Sequence, residues 1–224
     1  MNYLIVSLKR WHQEFPTILK DKIGGQWHLI SSKEDFSLKN LKEINPEKIF
    51  ITHWSYIIPA EIYESYECIV FHMTDLPYGR GGSPLQNLIV RGHKETKISA
   101  IKVCKDLDAG DIYLKKDLPL YGTAEEIFMR SSSVSVRMIE EIITKNLKPV
   151  PQEGKPVVFK RRKPEESNIV DISDLEKMYD YIRMLDAEGY PKAFLETDAF
   201  RFEFSRASLK ADKSIIADVR ITKK

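Results

Sequence analysis

Two side chains in this sequence have the type and setting for proton transfer: His72 and Asp108. His72 closes the apolar run Cys68-Ile69-Val70-Phe71, and a glycine-rich stretch, Tyr78-Gly79-Arg80-Gly81-Gly82, follows it. An imidazole just past a buried strand, ahead of a loop whose backbone can approach a ligand closely, is where α/β proteins place chemistry. Asp108 sits in a second turn, Leu107-Asp108-Ala109-Gly110-Asp111. Histidine changes charge near neutral pH and a carboxylate can orient it, so the two suggest an acid/base pair. Plainer readings stand beside these. Asp-x-Gly is common turn chemistry, Asp111 fits a strand edge, and Thr74 fits a local turn bond as well as a ligand contact. The glycine spacing matches neither a Walker A loop nor G-x-G-x-x-G. No Cys-x-x-Cys or His-x-x-x-His pair suggests a metal site.

The elements that must position these residues are legible from pattern. Strands are expected at Tyr3–Leu8, Trp27–Ile30, Lys48–Thr52 and Cys68–Phe71, with short helices at Leu38–Ile44 and from Pro59 to Tyr63. Ser83 as N-cap and Pro84 at N1 start a helix that Gly92 stops. Ile98–Val103 and Asp111–Leu114 read as paired strands. Thr123 and Glu126 form a capping box before a long helix to Leu147, with Ile127, Val134, Met138 and Ile142 on one stripe. Pro149, Pro151, Gly154 and Pro156 punctuate a loop, and Val157–Phe159 closes the main domain. The charged linker Lys160-Arg161-Arg162-Lys163 leads to a helix capped by Ser173 and Glu176, then to a hairpin whose Phe200, Phe202 and Phe204 read as core. The order implies an α/β fold with a mostly parallel sheet, spanning 1–160, and a small α+β C-terminal appendage over 161–224. His72, Asp108 and His53 all fall beyond carboxyl ends of strands by this reading.

Composition is that of an ordinary globule: 42% hydrophobic, 30% charged and a net charge of +2 over 224 residues. That charge argues against extended nucleic-acid contact. Cys68 and Cys104 both read as buried free thiols, fitting a reducing cytoplasm. No window approaches the ~20 apolar residues of a membrane span.

The central segments resemble the folate-dependent formyltransferases. That family shows a His, a Ser two residues on, Leu-Leu-Pro, Arg-Gly and Pro-x-Gln, then a Leu-Asp-x-Gly turn. This chain reads His72, Thr74, Asp75-Leu76-Pro77, Arg80-Gly81 and Pro84-Leu85-Gln86 at the same spacing, then Leu107-Asp108-Ala109-Gly110. The similarity runs from Ile49 to Lys148 and more faintly to Phe194. It implies a Rossmann-like domain and N10-formyltetrahydrofolate as co-substrate. It also implies His72 and Asp108 as catalytic groups, and a pterin pocket along Ser55, Ile57, Ile58, Leu76, Pro77, Gly81 and Leu107. One departure matters. The family's Asn-x-His is Val70-Phe71-His72 here, and valine cannot donate a hydrogen bond to a developing oxyanion, a loss worth about 2.7–4 kcal/mol. His53 and Ser55, at the end of the preceding strand, are the candidate substitutes, His53 first, and Arg10, Trp11 and His12 are candidates to touch the acceptor.

The implied reaction is formyl transfer to a primary amine, with His72 moving protons or steadying the oxyanion. Only about sixty residues follow Lys163, and the charge is modest. The expected acceptor is therefore a small molecule, a nucleotide-linked amino sugar, with initiator methionyl-tRNA the alternative and a non-catalytic folate binder the second.

Overall fold

The computed structural model describes residues 1–224. In chain order the elements are β1 (Asn2–Val6), α1 (Phe15–Ile23), β2 (Gln26–Ile30), α2 (Leu38–Ile44), β3 (Lys48–Ile51), α3 (Ala60–Tyr63), β4 (Glu67–His72), β5 (Tyr78–Gly81), α4 (Pro84–Val90), β6 (Glu95–Lys102), β7 (Ile112–Pro119), α5 (Ala124–Thr144), β8 (Val157–Phe159), α6 (Leu175–Arg183), β9 (Ala193–Glu196), β10 (Phe200–Leu209) and β11 (Ile215–Lys223). They form two compact units. The first comprises Met1–Arg80, Lys97–Leu118 and Ser131–Val158; the second, Gly81–Thr96, Pro119–Arg130 and Phe159–Lys224.

The first unit is built on a six-stranded sheet in the order β2-β1-β3-β4-β6-β7. The β1–β2, β1–β3 and β3–β4 pairs are parallel, and β4–β6 is antiparallel. Alternation along the strands separates two faces. On one, Leu4, Val6, Ile49, Ile51 and Cys68 pack with Leu41 and Ile62. The register puts Val70 and His72 on that same face. The other carries Tyr3, Phe50 and Phe71, whose rings lie 6.4 Å apart in sequence across the strands. Helix α1 is absent from the sequence expectations, and Pro16 stands near its start. It occupies the first turn, where its missing N–H is not needed, and Phe15 and Leu19 are buried one turn apart. Helix α2 matches its expected span, with Ser37 accepting from the Asn40 N–H and Asn45 left-handed at the C-cap.

The second unit holds α4, α6 and a three-stranded antiparallel sheet, β11-β10-β9. Several expectations need correction here. Ser83 does not cap α4 through its side chain; its φ is 50° and its hydroxyl accepts instead from the Arg162 N–H. Asp174, not Ser173, caps α6. Phe200 is 45% exposed, and Phe202 and Phe204 are only half-buried. Their face also carries Val219 and Ile221, both exposed, so alternation marked a half-covered strand and not a core one. Gln86 is buried and donates to the Met184 carbonyl. Gly81 has φ +105°, and a Cβ there would lie 2.4 Å from the Phe159 oxygen. Its missing side chain makes room for the returning chain.

Candidate functional site

His72 is the last residue of β4 and is 7% exposed. Its Nε2 lies 2.8 Å from the Gly79 carbonyl oxygen. A carbonyl only accepts, so Nε2 carries a proton. The nitrogen left to gain or lose one is Nδ1, and it faces Asp108 Oδ2 at 3.6 Å. The Thr74 hydroxyl, wholly buried, donates to the same Gly79 oxygen at 3.3 Å. Ser99 Oγ donates to the Thr74 carbonyl at 2.7 Å. Thr74 thus fixes the backbone that fixes the imidazole; the local-bond reading holds for it.

Asp108 reaches His72 by a route the sequence does not show. Because β6 runs antiparallel to β4, its C-terminal end lies beside the start of β4: Val103 N–H donates to the Cys68 carbonyl. Asp108 therefore does not leave a carboxyl end shared with the parallel strands, which corrects that expectation. The loop doubles back along the face that carries Val70. Its ends close on each other, Lys102 N–H donating to Asp111 O at 2.8 Å. Gly110 sits so near Lys102 that a Cβ would fall 1.7 Å from its carbonyl oxygen. Asp108 itself is left-handed, φ 53°. Five residues from Val103 to Asp108 span the four from Cys68 to His72, about 13 Å at strand rise.

Val70 stands two residues before His72 on the same face, packed against Leu76, Ile101 and Ile112. His53 does not stand beside it. Its φ is 48°, and its ring meets Ser131 Oγ at 3.1 Å on the opposite face of the sheet, beside a cavity lined by Thr52, Phe71, Met73 and Ile98. His12 is also displaced from its expected place at the acceptor. It is wholly buried, with Nδ1 2.6 Å from Ser7 Oγ and Nε2 2.5 Å from Ser132 Oγ, and its ring is stacked on Phe15. Burial, with the nearby Lys9 charge second, lowers its pKa to about 4. Trp11 Nε1 donates to the same Ser132.

The other expected residues divide. Ser55, Ile57 and Leu107 are exposed, Ile57 at 78% and Leu107 at 60%, and Ile58 is half-buried against the core. Pro77 is half-buried. Leu76 is wholly buried between Val70, Ile101 and Ile112, so its side chain builds the wall and cannot face a ligand. Gly81 belongs to the second unit. Cys68 is buried, its thiol pushed up to about 12 by burial and by Glu67; Cys104 is exposed, which corrects the reading of both as buried. No group of His, Cys, Asp and Glu is arranged to hold a metal ion. No helix is long and apolar enough to cross a membrane.

Sequence reasoning missed Gln152. The bridge between Ile112 and Val150 lays residues 150–152 along β7. Gln152 Nε2 then donates to the carbonyls of Asp108 at 2.9 Å and Gly110 at 2.8 Å. Its Oε1 accepts from Arg80 Nε and Nη2 at 3.2 and 2.8 Å. The Pro- and Gly-rich composition around it signalled only a loop.

A parallel-stranded α/β unit with a His–Asp pair over one face fits what comparison with known proteins finds. Residues 19–139 match the formyl transferase family, and 164–222 match the C-terminal domain of methionyl-tRNA formyltransferase. The first match takes in more than half of the chain, and the chain belongs to the formyl transferase family. A solved structure titled methionyl-tRNA formyltransferase from Clostridium thermocellum is 54% identical, covers 100% of both chains and has a TM-score of 0.95. A methionyl-tRNA formyltransferase of Clostridium botulinum is 28% identical over 180 residues, 77% of this chain and 58% of that protein. The chain thus spans about half the length of the curated relatives it matches. A sugar N-formyltransferase from Shewanella is 18% identical, with a TM-score of 0.66 over 100% of this chain and 98% of that one, a likeness of fold alone. These findings overturn the expectation of an amino-sugar acceptor. That expectation rested on the short C-terminal part and the modest net charge, and the Clostridium thermocellum protein matches this chain end to end.

Proposed function

We propose that this protein transfers the formyl group of N10-formyltetrahydrofolate to the α-amino group of initiator methionyl-tRNA. The His72–Asp108 arrangement carries the chemistry, and the full-length likeness to the Clostridium thermocellum protein supports the acceptor. The amine nitrogen attacks the formyl carbon and gives a tetrahedral oxyanion. The amine loses a proton, N10 gains one, and the bond from the carbon to N10 breaks. With Nε2–H held by Gly79, the proton passes through His72 Nδ1, and Asp108 sets the orientation and charge around that atom. Holding the amine near the formyl carbon at about 3–3.5 Å supplies much of the rate. Ser55, Ile57, Ile58, Pro77 and Leu107 are assigned to the pterin side of the cleft, with Leu76 contributing backbone. In this reading residues 1–160 carry the catalysis and 161–224 the smaller accessory part.

The test is formylation of methionyl-tRNA by the purified chain with N10-formyltetrahydrofolate, followed as formylmethionine released from the tRNA. Turnover that falls steeply between about 50 and 200 mM salt is expected, because tRNA phosphates release counterions on binding. A second reading, a folate binder without turnover, has one observation in its favour: Val70 in place of a donor. Thermal protection by folate, worth about 2.7 kcal/mol at a hundred times its dissociation constant, with no product on tRNA would establish that reading instead.

A further inference from the structure

We infer that Gln152 is a positioning residue that sets the His72–Asp108 geometry from outside the motifs; the inference rests on the proton-transfer role given to that pair. The amide is used at both ends, and its orientation has a single solution. The Asp108 and Gly110 carbonyls can only accept, and the Arg80 guanidinium can only donate. Nε2 must therefore face the loop and Oε1 must face Arg80, as observed. A flipped amide would set an oxygen against two carbonyls and an NH2 against a guanidinium.

What the amide joins gives it its role. Arg80 directly follows Gly79, whose carbonyl holds His72 Nε2. Asp108 and Gly110 are the tip and the base of the loop that presents the carboxylate. Gln152 thus ties the side chain of the residue next to Gly79, which orients the imidazole, to the backbone that carries the carboxylate. Asp108 is left-handed and projects from a loop closed mainly at its ends, Lys102 to Asp111. The tip needs its own anchor, and Gln152 bonds the Asp108 carbonyl directly. Its side chain touches neither Nδ1 nor Oδ2 and acts only through the loop.

The test is a double-mutant cycle on steady-state formylation. Gln152→Ala and Gln152→Glu are each expected to lower kcat by about 10- to 10²-fold, the cost of a misplacement near 1 Å, with KM changed less than about threefold. Glutamate preserves size and the Arg80 contact, but puts an oxygen against both carbonyls. A residue that only filled space would tolerate it, so wild-type kcat in Gln152→Glu overturns the inference. In an Asp108→Asn background, Gln152→Glu is expected to cost nothing further; losses that multiply would also overturn it. The 15N resonance of His72 Nδ1 supplies a readout independent of turnover. It should move in Gln152→Glu and in Asp108→Asn, with no added movement in the double variant. If no acceptor is formylated, that resonance still decides the positioning role, while the reaction assigned to the site fails separately.

Discussion

Two buried histidines of the first unit, His12 and His72, differ in the partners that matter for proton transfer. His12 has hydroxyls on both ring nitrogens, Ser7 and Thr52 on one side and Ser132 on the other, and it has no exposed surface. Hydroxyls can give or accept a hydrogen bond but do not compensate a buried positive charge. The ring is held neutral, its pKa lowered to about 4. His72 has a carbonyl on one nitrogen and a carboxylate opposite the other. The carbonyl fixes which nitrogen keeps its proton, and the carboxylate gives the second nitrogen's proton somewhere to be answered. Partner chemistry, more than burial, separates a packed histidine from one that can work.

The largest expected effect breaks the comparison at its working end. His72→Ala should lower kcat by roughly 10²–10⁴-fold, the usual worth of a general acid–base group, with only a small change in thermal midpoint. An unchanged turnover rate would remove His72 from the chemistry. His12 should show the reverse. In the unfolded chain its ring titrates near 6.5, and in the fold near 4. Between those values the unfolded state binds the extra proton, so the stability is fully present above about pH 6.5. About 3 kcal/mol is lost as pH falls through 4. Urea unfolding across that range measures the slope, and His12→Gln should abolish it while leaving kcat at neutral pH alone.

Val70→Asn sharpens the contrast from the other side. The position shares the face of His72, so an amide there can donate into the cleft. We expect kcat to rise about tenfold, against the roughly 10²–10³-fold that losing one such donor costs elsewhere. No rise in single-turnover rate would mean that another group already serves the oxyanion. The smallest effect is expected at Ser131→Ala, which removes the hydroxyl beside His53 Nε2. A loss near 1 kcal/mol in unfolding free energy with kcat unchanged fits a histidine that braces α5. A loss of turnover would return His53 to the site.

Much of this was written into local sequence. The apolar runs gave β1 to β4. The Thr123–Glu126 capping box is formed, with Glu126 N–H donating to Thr123 Oγ1 at 3.3 Å and Thr123 N–H to Glu126 at 2.7 Å. The stripe of Ile127, Val134, Met138 and Ile142 is buried. His72 and Asp108 were identifiable as a pair because short motifs keep their spacing wherever the fold takes them. Periodicity and capping are properties of neighbours in the chain, so the chain alone determines them.

The tertiary structure decided the rest. The antiparallel turn of β6 sends the Asp108 loop back across the sheet, and strand direction leaves no local mark. The face of the sheet to which His53 turns depends on where α5 lies. His12 is neutral because segments as distant as Thr52 and Ser132 close over it and strip away the water that would solvate its charge. Gln152 matters only because β7 draws residues 150–152 alongside a loop more than forty positions earlier. Each depends on a contact between segments far apart in sequence, and such contacts exist only once the chain has folded.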